Sequence, residues 1–252
     1  MISLGIDIGG SATKGALVDT EKGMLVSDRV RFGTEGLVKP KQVGLLVEKI
    51  RKKLNYHGVI GVGFPGVVKQ GLAHTAANLH KNWIGTDVAQ LIYNQTGQPV
   101  VVLNDADAAG LAEMRFGVEE ARQHKIVLFL TIGTGIGSAL FVDGHLLPNT
   151  EFGHLQVRGK DAEHYASDAA RQNEMLSWKQ WGKRFTEVLK TYEFLFNPDL
   201  IILGGGMCAK FENYAEYLKV DTKILPAKLE NLAGIVGAAM AAQEAQKEQG
   251  TL

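Results

Sequence analysis

Leu130-Thr131-Ile132-Gly133-Thr134-Gly135-Ile136-Gly137-Ser138-Ala139-Leu140 sets a glycine-rich turn between two apolar runs. The G-x-G-x-G spacing is shared with dinucleotide-binding loops, but those require a helix directly after the turn. Here Ser138 to Val142 reads as a strand, and Asp143-Gly144 behind it is a hairpin signal. The dinucleotide reading is therefore rejected. A strand-turn-strand hairpin fits better, because glycine lets backbone amides approach a phosphate chain closely.

The same grammar opens the chain. Ile2 to Ile8 is a short apolar run of the buried-strand kind, Gly9-Gly10-Ser11 forces a turn, and Lys14 to Val18 continues as a second strand. Glu21-Lys22-Gly23 signals another turn, and Met24 to Val30 is expected as a third strand, giving an antiparallel meander. Val43 to Leu54 has helical spacing and Val59 to Val62 reads as a strand. Thr86 to Thr96 predicts a helix with a Thr cap, Val100 to Leu103 a strand, and Asp105 to Phe116 an Ala-rich helix closed by Gly117. Beyond the central hairpin come a long helix over Ser177 to Leu195, a strand at Leu200 to Leu203, and helices near Met207 to Leu218 and Ala233 to Ala245. A meander, then alternating helix and strand, then the same series again predicts two α/β lobes with a cleft between them and no flexible linker. The expected bounds are 1–104, rejoined by a C-terminal helix at about 238–252, and 105–237.

Bulk properties narrow the function. In 252 residues, 45% apolar and 21% charged, a sizeable core is assured. Lys plus Arg and Asp plus Glu both number 27, so a general binder of nucleic acid or anionic membrane is not expected and any polyanion site is local. The single cysteine, Cys208, leaves no intrachain disulfide or multi-cysteine zinc site and fits a reducing compartment. MISLGIDIGG has no basic leader before an apolar stretch, and no run approaches the ~20 apolar residues of a membrane span, so a cytoplasmic protein is expected.

Three glycine turns each follow an expected strand: Asp7-Ile8-Gly9-Gly10-Ser11, Gly133 to Gly137, and Gly204-Gly205-Gly206. Each has a steric alternative, since tight turns need glycine for their own geometry. Asp7, with Lys14 further on, could hold hydrated Mg²⁺ on phosphates, or simply cap its turn. Asn104-Asp105-Ala106-Asp107 sits where a strand gives way to a helix, the usual ligand end of an open α/β sheet. An isolated D-x-D there is more often a helix cap, yet Asn104 beside Asp105 suits sugar hydroxyls and an ionised Asp105 can take a hydroxyl proton. Glu151-Phe152-Gly153-His154 offers a carboxylate and an imidazole for a polyol, and the spacing to His145 and His164 matches no zinc pattern. On the long helix, Trp178, Trp181, Phe185 and Leu189 form an apolar face, while Lys179, Lys183, Arg184 and Lys190 form a basic one. That basic face is either ordinary solvated surface or a track for a long anionic donor.

With these residues in view, the chain resembles the ROK family of sugar kinases and regulators, and within it the polyphosphate glucokinase branch. The matching pieces are DIGGSATKGA, GVGFPGVV, HTAANLHKNWIG, VLNDADAAGLAE, LTIGTGIGSAL, PNTEFGHLQV, PDLIILGGG and AGIVGAAMA, which together cover almost the whole sequence in the right order. The resemblance implies the actin-like (ribonuclease H-like) two-lobed fold and makes Asp105 the base at a sugar 6-hydroxyl. It implies that Gly66, Asn78, Asn104, Glu151, His154 and Glu163 hold the sugar. Asp7, Gly9, Gly10, Ser11, Lys14, Thr134 and Gly135 would hold phosphates, and Gly204 to Gly206 would border adenosine. The implied cofactor is Mg²⁺, through Asp7 by way of water, with glucose, mannose, inorganic polyphosphate and ATP as candidate substrates and a homodimer as the assembly. Many family members carry a cysteine-rich zinc segment after E-x-G-H. Gly159 to Ser167 contains no cysteine, so no zinc site is expected. The rivals are an ATP-only hexose or amino-sugar kinase of the family, a non-catalytic sugar sensor, and an actin-like assembly ATPase. The last gives no reason for the sugar-type groups. A repressor of the same family would carry a DNA-binding segment ahead of the phosphate turn, which here begins at Asp7.

Overall fold

The structure, a computed structural model, describes residues 1–34, 38–76 and 79–249. The chain divides into two compact units, Met1–Ala112 with Leu232–Leu252, and Glu113–Asn231.

The first unit is built on β1 (Ile2–Ile8), β2 (Ala12–Asp19), β3 (Met24–Leu25), β4 (Val30–Gly33), α1 (Pro40–Lys53), β5 (Ile60–Phe64), a small β6 (Val68–Lys69) and β7 (Leu72–Ala73) pair, α2 (Val88–Thr96), β8 (Val100–Asn104) and α3 (Asp105–Ala112). Its sheet runs β3-β2-β1-β5-β8, with β4 also on β2; β1 and β2 are antiparallel, while β1, β5 and β8 are parallel. The expected third strand is split in two, because the Ser27 hydroxyl takes the Leu17 N–H at 2.9 Å and interrupts the ladder. The helix expected from Thr86 starts one residue later: the Asp87 carboxylate accepts from Gln90 N at 2.8 Å, whereas the Thr86 hydroxyl donates to the Asn82 carbonyl.

Period-two alternation explains the layers. Leu4, Ile6, Ile8, Ile60 and Val62 pack with Val43, Val47 and Ile50 of α1 and Val88 and Ile92 of α2. The alternate positions Gly5 and Gly61 face the C-terminal helix, Ala233–Gln249, whose Ile235 and Ala238 carbonyls occupy the space a Cβ would need. The same helix lies against α3, where Gly237 meets the Ala108 carbonyl. That packing keeps α3 in the first unit, so the compact units break after Ala112 and Asn231 and not at the expected 104 and 237.

The second unit contains β9 (Ile126–Ile132), β10 (Ile136–Val142), β11 (His145–Leu147), β12 (Gln156–Val157), β13 (Lys160–Asp161), α4 (Ala162–Ala166), α5 (Asp168–Asn173), α6 (Trp178–Phe196), β14 (Leu200–Gly204) and β15 (Lys223–Pro226). Its main sheet, β11-β10-β9-β14-β15, repeats the plan of the first: an antiparallel meander, then two parallel strands. Asp143 (φ 50°) and Gly144 (φ 78°) form the expected hairpin turn. Ser177 caps α6 in a reciprocal pairing with Gln180, and the apolar face buries Trp181, Phe185, Val188, Leu189 and Tyr192 against Leu128, Leu130, Ile201 and Leu203. The helix expected to run on to Phe116 ends at Ala112, and Glu113–Gly117 forms a π-type turn. There Glu113, fully buried, accepts the N–H groups of Lys228 (3.0 Å) and Leu229 (2.7 Å). Burial pushes its carboxyl up despite those bonds. Gly205–Asn213 and Ala215–Tyr217 are 3₁₀ segments in place of the expected α-helix near Met207 to Leu218. Among the described residues no helix is long and apolar enough to cross a membrane.

Candidate functional site

In the first unit the parallel strands bring three loops to one edge of the sheet. Asp7 pairs with Gly63 and Gly63 with Leu103, so the turn after β1, the loop after β5 and the start of α3 all leave the same row. Asp105 opens α3, part-buried, with its Oδ1 accepting the Ala106 N–H at 2.8 Å. The helix cap itself is Asn104, whose Oδ1 accepts from Ala106 N (2.8 Å) and Asp107 N (3.0 Å). Its Nδ2 donates to the Gly66 carbonyl at 3.2 Å. A residue expected to meet sugar hydroxyls thus also caps the helix that opens with Asp105, the expected base, and joins two of the expected sugar residues directly. Gly66 has φ 155°, and a Cβ there would sit 2.6 Å from the Thr75 carbonyl oxygen, so glycine is required sterically. Asp107, the other carboxylate of the D-x-D, is buried. Asn78 lies outside the described residues.

Asp7 shares the Gly5 side of β1, where a Cβ on Gly234 would lie 3.4 Å from its carboxyl carbon. Lys14, its register partner on β2, donates to Asp7 Oδ2 at 3.2 Å. The intervening turn closes with Gly9 N donating to the Ala12 carbonyl at 2.9 Å and leaves Gly10 and Ser11 exposed. A single part-exposed carboxylate beside an open turn fits Mg²⁺, which keeps most of its waters. Among the described residues no group of three or more His, Cys, Asp or Glu side chains could enclose a metal.

The second unit gathers its own set. Gly133 to Gly135 links β9 to β10 with Thr134 exposed, as the hairpin reading expects. Glu163 braces this turn: its Oε2 accepts the Ile136 N–H at 3.3 Å and fills the space beside Gly135. Glu151 and His154 flank a 3₁₀ turn in which Gly153 lies against the Ile136 carbonyl, leaving no room for a Cβ. His154 stands among carboxylates, with Nε2 3.6 Å from Glu151, and Nδ1 3.0 Å from Asp161 and 3.9 Å from Glu163. Desolvation pulls the imidazole pKa down, but the Asp161 hydrogen bond and the Glu163 and Glu151 charges outweigh it and raise it overall. Burial also pushes Glu151 up, helped by Glu163 and opposed by His154. Asp161 was not singled out from the sequence; an aspartate in a polar loop carries no signal until the β12–β13 hairpin turns it back on His154.

The third glycine turn divides. A Cβ on Gly205 (φ 73°) would strike the Ile132 backbone, and one on Gly204 would strike the Phe129 ring, so sterics explain both. Gly206 is exposed with nothing near its Cβ position, so no packing demand accounts for it. On α6, Lys179, Lys183 and Lys190 are exposed, but Arg184 is committed to Glu174 at 2.6 Å and lies over the Tyr165 ring.

The polyphosphate glucokinase of Mycobacterium tuberculosis (strain CDC 1551 / Oshkosh) is 45% identical over 238 residues, which span 94% of this chain and 89% of that protein. A crystal structure of inorganic polyphosphate/ATP-glucomannokinase from Arthrobacter sp. strain KM matches with TM-score 0.92 at 42% identity, covering 97% of this chain and 99% of the other. A ROK family glucokinase from Streptomyces griseus, solved with glucose and AMPPNP, shares the fold at TM-score 0.82 and 22% identity, covering 97% of this chain and 100% of the other. The ROK family model matches residues 3–171, and with relatives of this identity along nearly its whole length the chain belongs to the ROK family.

Proposed function

We propose that the protein transfers a phosphoryl group from inorganic polyphosphate, and also from ATP, to the 6-hydroxyl of glucose, with mannose as a second acceptor. The observation that carries this reading is Asp105 at the head of α3, the helix that Asn104 caps, in a chain 45% identical to a polyphosphate glucokinase. A part-buried carboxylate held in place by backbone amides suits the proton of an attacking hydroxyl. Phosphoryl transfer asks a protein mainly to position reactants and offset charge. Gly66 and Asn104, joined by their hydrogen bond, position the acceptor beside Asp105, and Glu151, His154 and Glu163 supply further groups for sugar hydroxyls. The turns carrying Gly9 to Ser11 and Thr134-Gly135 offer amides to phosphates, with Lys14 adding positive charge. Gly206 is open to an adenosine when ATP is the donor. Asp7 would hold Mg²⁺ through water, the ion neutralising charge on the donor phosphates. The family resemblance supports a homodimer, and the single buried thiol of Cys208 suits a reducing, cytoplasmic setting.

The test is hexose 6-phosphate formation from glucose with Mg²⁺, run in parallel with polyphosphate and with ATP. Turnover with polyphosphate is expected. Turnover with ATP alone would move the chain to the ATP-only kinases, and glucose binding without turnover would make it a sensor.

A further inference from the structure

His154 is held from two sides, and one holder belongs to neither the sugar groups nor the phosphate turns. The β12–β13 hairpin pairs Gln156 with Asp161 and turns through Arg158 (φ 55°) and Gly159 (φ 74°). This fold-back delivers the Asp161 carboxylate to His154 Nδ1 at 3.0 Å. The other Asp161 oxygen accepts from the Gln156 side-chain amide, so the carboxylate is itself held at both oxygens. An ionised carboxylate can only accept, so the proton in this bond sits on His154 Nδ1. The ring is thereby turned with Nε2 toward Glu151, 3.6 Å away. The groups facing the imidazole are Glu151 before the 3₁₀ turn, Asp161 on β13 and Glu163 on α4, with His164 next to Glu163.

We propose that Asp161 is a positioning residue for the sugar subsite: through the Gln156-clamped hydrogen bond to Nδ1 it fixes the ring of His154 and presents Nε2 beside Glu151, as an acceptor in the neutral ring and as a donor in the protonated one. The inference rests on the reading that His154 meets the sugar. Asp161 itself touches no reacting atom in this scheme. Its carboxyl is drawn below the usual range, first by the His154 bond, so it stays ionised wherever the imidazole is protonated. The consequence is a sugar subsite whose affinity depends on pH through His154.

The experiment combines NMR titration of the His154 ring with steady-state kinetics for wild type, Asp161→Asn, Asp161→Ala and Gln156→Ala. The His154 resonance is assigned by its loss in His154→Gln. In wild type the ring should titrate above the ordinary 6.5. Asp161→Asn keeps an acceptor oxygen but removes the charge, so the titration midpoint should fall while ring orientation survives. Asp161→Ala should lower the midpoint and also raise KM for glucose by about tenfold with kcat changed less than about twofold. Gln156→Ala should move both in the same direction by less. An unchanged midpoint together with an unchanged KM in a folded Asp161→Ala protein would overturn the proposal, as would an equal fall in kcat and kcat/KM. If Asp161→Ala does not fold, the Asp161→Asn midpoint decides. Wild-type protein that makes no hexose 6-phosphate would defeat the glucokinase reading, yet the titration would still decide the Asp161–His154 pairing.

Discussion

The two sets of candidate residues are held in place by different forces. At the head of α3 in the first unit the partners described are main-chain groups: two N–H groups and the Gly66 carbonyl for Asn104, and an amide of its own helix for Asp105. In the second unit the holders are mostly other charges. Glu151, Asp161 and Glu163 surround one imidazole; burial raises the Glu151 carboxyl, and the His154 hydrogen bond lowers that of Asp161. The bonds of the Asn104 side-chain amide to the backbone are indifferent to pH, whereas a carboxylate–imidazole cluster is not. The Asn104 cap is built for fixed geometry, and the cluster around His154 is built to respond to protonation.

The largest effect should come from Asp105→Asn, which keeps the acceptor for the Ala106 N–H but removes the base. A fall in kcat of ~10² or more is expected, with the unfolding midpoint nearly unchanged. Near-normal turnover would remove Asp105 from its role. Next, Asn104→Ala strips the α3 cap and the donor to Gly66, at a cost of about 1–2 kcal/mol. Denaturant unfolding should give the same loss at pH 6 and pH 8. A pH-dependent loss would break the contrast between the cap and the cluster.

The Asp161 variants sharpen that contrast from the other side. Because the folded pKa of His154 is raised, the stability of its pairing is fully present below the ordinary value of 6.5 and lost as pH rises through the folded value. Asp161→Asn should therefore lower Tm at pH 6 and leave it nearly unchanged at pH 9. The smallest effect is expected on the exposed face of α6. Reversing Lys179 and Lys183 to Glu should raise KM for polyphosphate about threefold at low salt and leave KM for ATP unchanged. Equal changes for both donors would return that face to ordinary solvated surface.

Much of the scaffold is written locally. The apolar run Ser138 to Val142 after the second glycine turn forbade a helix, and β10 is there. Ser177 three residues before Gln180 announced the start of α6, and the capping box is there. What escaped local reading depends on distant or folded-back partners. Glu113 meets residues more than a hundred positions away, and nothing in its neighbourhood signals that α3 must stop for it. Asp161 reaches His154 through a turn led by Arg158, a residue type that does not advertise a left-handed conformation. The D-x-D suggested a cap at Asp105 or Asp107, yet Asn104 supplies it, and the second bond of Asn104, to Gly66, joins loops 38 residues apart. Side chains of a chemically capable type can be seen in the sequence, whereas the partners that hold them become visible only in the fold.

The glycine contacts at Gly5 and Gly61 set an order of assembly during synthesis. The sheet they belong to is complete by Asn104, yet the helix that covers that face begins only at Ala233. A ribosome therefore releases the whole of the second unit while the first still has an uncovered flank. Until residues 233–249 emerge, that flank is the part of the nascent chain most in need of a chaperone. A stop codon ahead of Ala233 would strand the first-made half of the protein without its cover.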